Sequence, residues 1–184
     1  MSKFYDWDKT MSYQTGTNGE ICLVLGAKDI GKTFGLRKKC VERFIKHGEL
    51  FCEICRTNAE RDEVMAGYFD KLQYEGFFTE YIFKIERKSG YIARKPIDEK
   101  EKPVWRLICY FVALTNFQRE KKRTYKQVKR FIFDECVIDT KDRYHRYLKD
   151  EFLILANLLD SISRQQPGSD YQYYCYLLGN AVDL

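Results

Sequence analysis

Proline is scarce in this chain, three residues among 184, and no apolar run approaches the length of a membrane span. With hydrophobic residues at 45%, that scarcity excludes a disordered or low-complexity chain. The start, Met1-Ser2-Lys3-Phe4-Tyr5-Asp6, lacks the basic and apolar stretches of a signal peptide. No internal repeat is present. The expectation is a single soluble, intracellular domain with no membrane partner. Zinc-type patterning is missing too. Seven cysteines is an odd number, scattered among apolar neighbours as reduced cytosolic thiols would be. Cys52-Glu53-Ile54-Cys55 is nominally C-x-x-C, but it falls in a predicted strand whose alternation sends the two thiols to opposite faces. No second Cys/His pair follows at the spacing a metal site needs.

Acidic charge is in slight deficit, leaving a net +5 that hints at a polyanionic partner. The excess is concentrated. Arg119, Lys121, Lys122, Arg123, Lys126, Lys129 and Arg130 crowd one stretch with Glu120 as its only acid. Such a run reads equally as a solvated loop or as a contact with nucleic acid or a neighbouring subunit's nucleotide.

The most informative stretch is Gly26-Ala27-Lys28-Asp29-Ile30-Gly31-Lys32-Thr33, which matches the phosphate-binding pattern G-x-x-x-x-G-K-[ST] at every fixed position. The glycines let successive backbone N–H groups point inward at phosphate oxygens. Lys32 brings positive charge to the β- and γ-phosphates of ATP, and the Thr33 hydroxyl can ligate Mg²⁺. The apolar run Ile21–Leu25 before the loop suits a buried strand. Phe34, Leu36, Cys40, Val41, Phe44 and Ile45 after it recur at helical spacing up to Gly48. The following helix adds the positive end of its dipole.

Residues 1–19 are polar and aromatic, with Tyr13 a candidate to stack on the base. Strands are predicted at 50–55, 105–114 and 171–178, and a hairpin over 77–94 turning at Lys88-Ser89-Gly90. Helices are predicted from about Ala59 to Leu72 and along Leu148, Phe152, Leu155, Leu159 and Ile162. Alternating strands and helices point to an α/β fold, a mainly parallel sheet covered on both faces, with the small β-hairpin as an insertion.

Phe131-Ile132-Phe133-Asp134-Glu135 is an apolar strand ending in two acids. Asp134 at its tip would hold the Mg²⁺ water shell opposite Thr33, and Glu135 would polarise the attacking water as general base. Asn180, at the end of the last strand, is placed to sense the γ-phosphate or orient that water. Arg164 ends the helix after Glu135, either as a surface arginine or as a cation offered to another subunit's phosphoryl group.

With these residues assembled, the chain resembles the DNA-packaging (encapsidation) ATPases of phi29-like phages. The resemblance covers the Leu25-to-Thr33 loop, Arg43-Phe44-Ile45-Lys46-His47-Gly48-Glu49, Gln118-x-Glu120-Lys121, Ile132-to-Glu135, Leu158-Leu159-Asp160-x-x-x-Arg164 and Gly179-Asn180-Ala181-Val182. It implies a P-loop NTPase of the additional-strand, catalytic-glutamate type. It also implies a homopentameric ring on the portal (connector) of the procapsid that drives double-stranded DNA inward, in the cytoplasm of an infected bacterium. Whether a packaging RNA joins it stays open. By position, Gly26 to Thr33 hold nucleotide, Asp134 the metal, and Glu135 the water. Arg164 falls on an arginine finger acting between subunits, Lys121 on a second basic residue acting across the interface, and Arg56 on an arginine beside the nucleotide. The loop departs from the family at Lys28-Asp29, where an arginine-glycine pair is suggested. The relatives continue into a nuclease-like domain, so residues 1–184 are expected to be the ATPase domain alone. The rival readings are another phage DNA-handling ATPase such as a helicase, a nucleotide-gated assembly module, and, more distantly, a nucleoside kinase.

Overall fold

The computed structural model describes residues 5–14, 19–98, 100–120, 122, 124–125, 128–138, 146–165 and 171–180. The chain order is α1 (Trp7–Ser12), β1 (Glu20–Gly26), α2 (Lys32–His47), β2 (Leu50–Cys55), α3 (Asn58–Met65), α4 (Asp70–Tyr74), β3 (Tyr81–Glu86), β4 (Ser89–Arg94), β5 (Arg106–Ala113), a 3-10 turn, α5 (Phe117–Glu120), β6 (Val128–Phe133), α6 (Glu151–Ser163) and β7 (Tyr174–Asn180). These build a seven-stranded sheet in the order β1-β7-β6-β2-β5-β4-β3. Its first five strands are mutually parallel, and β4 and β3 close it antiparallel.

The apolar runs explain the layering. Every residue of β2 is buried, as is β6 apart from half-buried Lys129, so the middle of the sheet is covered on both faces. β1 differs. On one of its faces Ile21, Leu23 and Leu25 are each more than half exposed, and among the described residues this strand borders the sheet.

Several elements depart from sequence expectation for identifiable reasons. The helix expected over 59–72 is two, because Gly67 takes a left-handed φ of +75° between α3 and α4. A reciprocal capping box of Thr57 and Glu60 starts α3. The hairpin turns at Arg87-Lys88, both left-handed, one residue before the expected place. The hairpin, inserted between β2 and β5 in the chain as expected, extends the main sheet at the end away from β1. In α6 the buried face is Glu151, Leu155, Leu158, Leu159 and Ile162, while Phe152 is 54% exposed. Glu151 is drawn inward by buried Arg56 (2.9 Å), and this fixes the rotation of the helix. Arg130, counted in the basic run, is a core residue that bonds Glu49 and Tyr176.

Candidate nucleotide site

The loop between β1 and α2 is held by the N-terminal segment and by its own lysine. Tyr5 N–H donates to the Ile30 carbonyl (3.0 Å), and the Trp7 indole donates to the Lys32 carbonyl (2.9 Å). Gly31, with φ +77°, opens α2 in a left-handed conformation, and Asp29 also adopts positive φ (+62°). The Lys32 side chain is buried. Its ammonium donates to the Gly26 and Ala27 carbonyls (3.0 and 2.7 Å) and to Asn180 Oδ1 at 3.2 Å. A side chain at Gly26 would crowd Ile30, whose Cδ1 lies 3.0 Å from the site of a Cβ.

Thr33 Oγ1 donates to Asp134 Oδ2 at 2.6 Å, joining the start of α2 to the tip of β6 across a hundred residues of chain. Two adjacent hard oxygens, one from a hydroxyl and one from a carboxylate, are the protein donors that Mg²⁺ accepts alongside water and phosphate oxygens. Glu135 follows in a left-handed conformation (φ +50°), with its own N–H on Asp134 Oδ1 (2.9 Å) and its side chain exposed. Cys136 N–H bonds the Leu178 carbonyl of β7 (2.8 Å), fixing where Glu135 projects.

A cavity of about 400 Å³ unites these groups: Lys28, Asp29, Gly31, Lys32, Thr33, Phe34, Asp134, Glu135 and Asn180 line it. The other expected residues lie elsewhere. Arg56 is buried outside the cavity, with its Nε on both Glu151 oxygens and its guanidinium against the Phe133 and Tyr147 rings. Arg164 is the C-cap of α6, 73% exposed and paired with Asp160 on the preceding turn. Tyr13 ends α1 and is 71% exposed. Lys121 lies outside the described residues.

Sequence reasoning missed Lys71 and Glu75, which complete the cavity wall from α4. It also missed a buried cluster under the site. Arg37 of α2 pairs with Glu53 of β2, and the Tyr68 hydroxyl donates to the other Glu53 oxygen at 2.7 Å. Burial pushes the Glu53 carboxyl up, with Arg37 opposing. Burial is the largest single influence on Arg37 and would lower it, but the Glu53 charge and hydrogen bond, with Tyr68 and Asp134, together outweigh it and hold the guanidinium charged. Only the helical spacing of Arg37 from Thr33 hinted at such a contact.

A glycine loop between strand and helix, an acid-tipped strand two places away, and one further strand between them define a P-loop NTPase of the additional-strand type. The sequence profile of the family described as Podovirus DNA encapsidation protein (Gp16) matches residues 1–184. The DNA packaging protein of Bacillus phage phi29 is 30% identical over 183 residues, 100% of this chain and 48% of that protein. The crystal structure of the N-terminal domain of the DNA packaging ATPase from bacteriophage phi29 superposes with a TM-score of 0.76 at 28% identity, over 99% of this chain and 81% of that one. A chain of the phi29 viral genome packaging motor assembly gives 0.73 at 30%, over 99% and 48%. The chain belongs to the podovirus DNA encapsidation family, and it spans about half the length of the curated relatives it matches.

Proposed function

We infer that residues 1–184 are the ATP-hydrolysing domain of a phage motor that packages double-stranded DNA, working as a ring in the infected host at the procapsid portal. The observation that carries this reading is the convergence of Lys32, Thr33, Asp134 and Asn180 through direct hydrogen bonds, in a chain of the encapsidation family. Lys32 and the loop amides would bind the β- and γ-phosphates. Thr33 and Asp134 would hold Mg²⁺, which when bound neutralises charge on the phosphates. Glu135, exposed on a fixed backbone beside them, would take the proton of the attacking water. Asn180 is within reach of Lys32 and would report the terminal phosphate.

The Arg164 side chain is 73% exposed and, among the described residues, is held by an exposed ion pair of little worth. That placement suits a residue that completes a neighbour's site. Arg56 would serve this role indirectly, through Glu151 and the setting of α6. Lys121 would be a second cation across the same interface, in a pentamer as the family resemblance implies.

Hydrolysis of Mg·ATP against protein concentration tests the reading, using wild type, Glu135→Gln, Arg164→Ala and an equal mixture of the two variants. Expected are a rate per subunit that rises with concentration, single variants reduced about a hundredfold or more, and partial recovery in the mixture. A flat rate per subunit with Arg164→Ala near normal removes the finger. Hydrolysis by Glu135→Gln at the wild-type rate removes the general base.

A further inference from the structure

Lys71 has no part in the phosphate-loop pattern, yet it lines the same cavity as Lys32, Thr33, Asp134 and Glu135. The sheet order says which end of the cavity it approaches. From β1 the strands run β7, β6, β2, β5. α1 sits on the β1 side of α2, where the Trp7 indole is 2.8 Å from the site of a Cβ on Gly35 and meets Tyr176 of β7 edge-on. α4 follows β2 and reaches the opposite flank: Phe34 packs on Phe77 just after α4, and Phe69 just before it stacks on Phe83 of β3 at 4.4 Å. The oxygens that would hold the metal come from Thr33 and from Asp134, just past the end of β6 and two strands from β1, so this end of the cavity lies away from β1. α4 therefore approaches the end at which a phosphoryl group is transferred.

We propose that Lys71 is a substrate-contacting cation supplied in cis by α4, its ammonium directed at the terminal phosphate of the bound nucleoside triphosphate. This rests on the reading of the cavity as an ATP site. Charge supports it. Asp29, Glu75, Asp134 and Glu135 share the cavity lining with Lys28, Lys32 and Lys71, so without Lys71 the lining carries twice as many acidic as basic residues for a polyanionic ligand. Reach supports it as well. The Lys71 ammonium stands 5.6 Å from the Phe34 ring centroid, and Phe34 adjoins Thr33. Its backbone is fixed: Leu72, the next residue, is 1% exposed, and its carbonyl accepts from Phe77 N–H at 2.9 Å. A cation presented from a braced helix is aimed before the ligand arrives.

Titration calorimetry in Mg²⁺, with ADP and with the β,γ-imido analogue of ATP, tests the assignment on the 184-residue chain. Lys71→Ala should weaken the triphosphate analogue about tenfold or more while ADP affinity changes less than about twofold, and Lys71→Arg should restore most of the loss. Lys71 is exposed, so the Lys71→Ala unfolding midpoint should match wild type. Equal loss for both ligands, or no loss for either, overturns the assignment. Wild type that binds both ligands in a Lys32-dependent way, with Lys71→Ala indistinguishable from it, removes Lys71 and leaves the ATP site standing. Wild type that binds neither ligand overturns the ATP site, and Lys71 with it.

Discussion

Glu135 holds a φ of +50°, a left-handed backbone that costs an L residue about 1–2 kcal/mol. The fold tolerates it because Asp134 Oδ1 and the Leu178 carbonyl tie down the N–H groups of Glu135 and Cys136. Stored strain of this kind is common where a side chain must be aimed. Glu135→Gly should therefore raise the free energy of unfolding by about 0.5–1 kcal/mol in urea titrations while hydrolysis is lost. A variant that is less stable than wild type would show that the conformation carries no strain. Asp29 is a milder instance. It occupies, at φ +62°, a place where the resemblance suggests glycine, and aspartate is among the residues that take this conformation most readily. The departure at Lys28-Asp29 thus leaves the path of the loop intact and alters its charge.

Between elements, charged pairs set the spacing. Arg37 and Glu53 bolt α2 to β2 under the phosphate loop, with Glu53 1% exposed. Arg37→Met would leave that carboxylate without its counter-ion and should cost about 3 kcal/mol in chemical unfolding. Adding Glu53→Gln should recover part of the loss, because the neutral amide no longer needs a cation and can still accept from Tyr68. No recovery would mean that the loss comes from packing. A second brace explains the Arg43-to-Glu49 run. Arg43 grips Glu49 through two nitrogens, each at 3.1 Å, and Arg130 of β6 takes the same carboxylate, so the end of α2 is locked to the sheet. These pairings mark where the sequence becomes illegible. The phosphate loop, the acid-tipped strand and the buried parallel strands are local patterns and can be read directly. Partners such as Arg56 and Glu151, 95 positions apart, meet only when the sheet has been assembled. Lys71 was hidden for another reason, since the break at Gly67 turns α4 out of the line that α3 would have followed.

Across the whole molecule, the core is rich in protonated thiols and phenols. Burial pushes Cys40 from 9.0 up to about 12 and drives Cys52, Cys109 and Tyr68 well above their ordinary values. A thiol that ionises later in the folded chain than in the unfolded one contributes stability that is complete below pH 9 and drains away between about 9 and 12 for Cys40. Each such thiol removes up to about 1.4 kcal/mol per pH unit in that window. Thermal unfolding should thus be nearly independent of pH from 7 to about 8.5 and fall steeply toward about 10.5. A midpoint unchanged at the upper end would require the buried thiols to ionise without opening the core.

β1 carries the phosphate loop, yet among the described residues it pairs with β7 alone, with Ile21, Leu23 and Leu25 turned outward. A border strand of this kind frays before the strands inside the sheet, and its amides exchange with solvent first. Ligand bound at its tip adds a free energy that grows with the logarithm of ligand concentration, and the fraying strand feels that gain most directly. Occupancy of the loop is therefore converted into how firmly the edge of the sheet is held, with no lid or domain movement needed to carry the message.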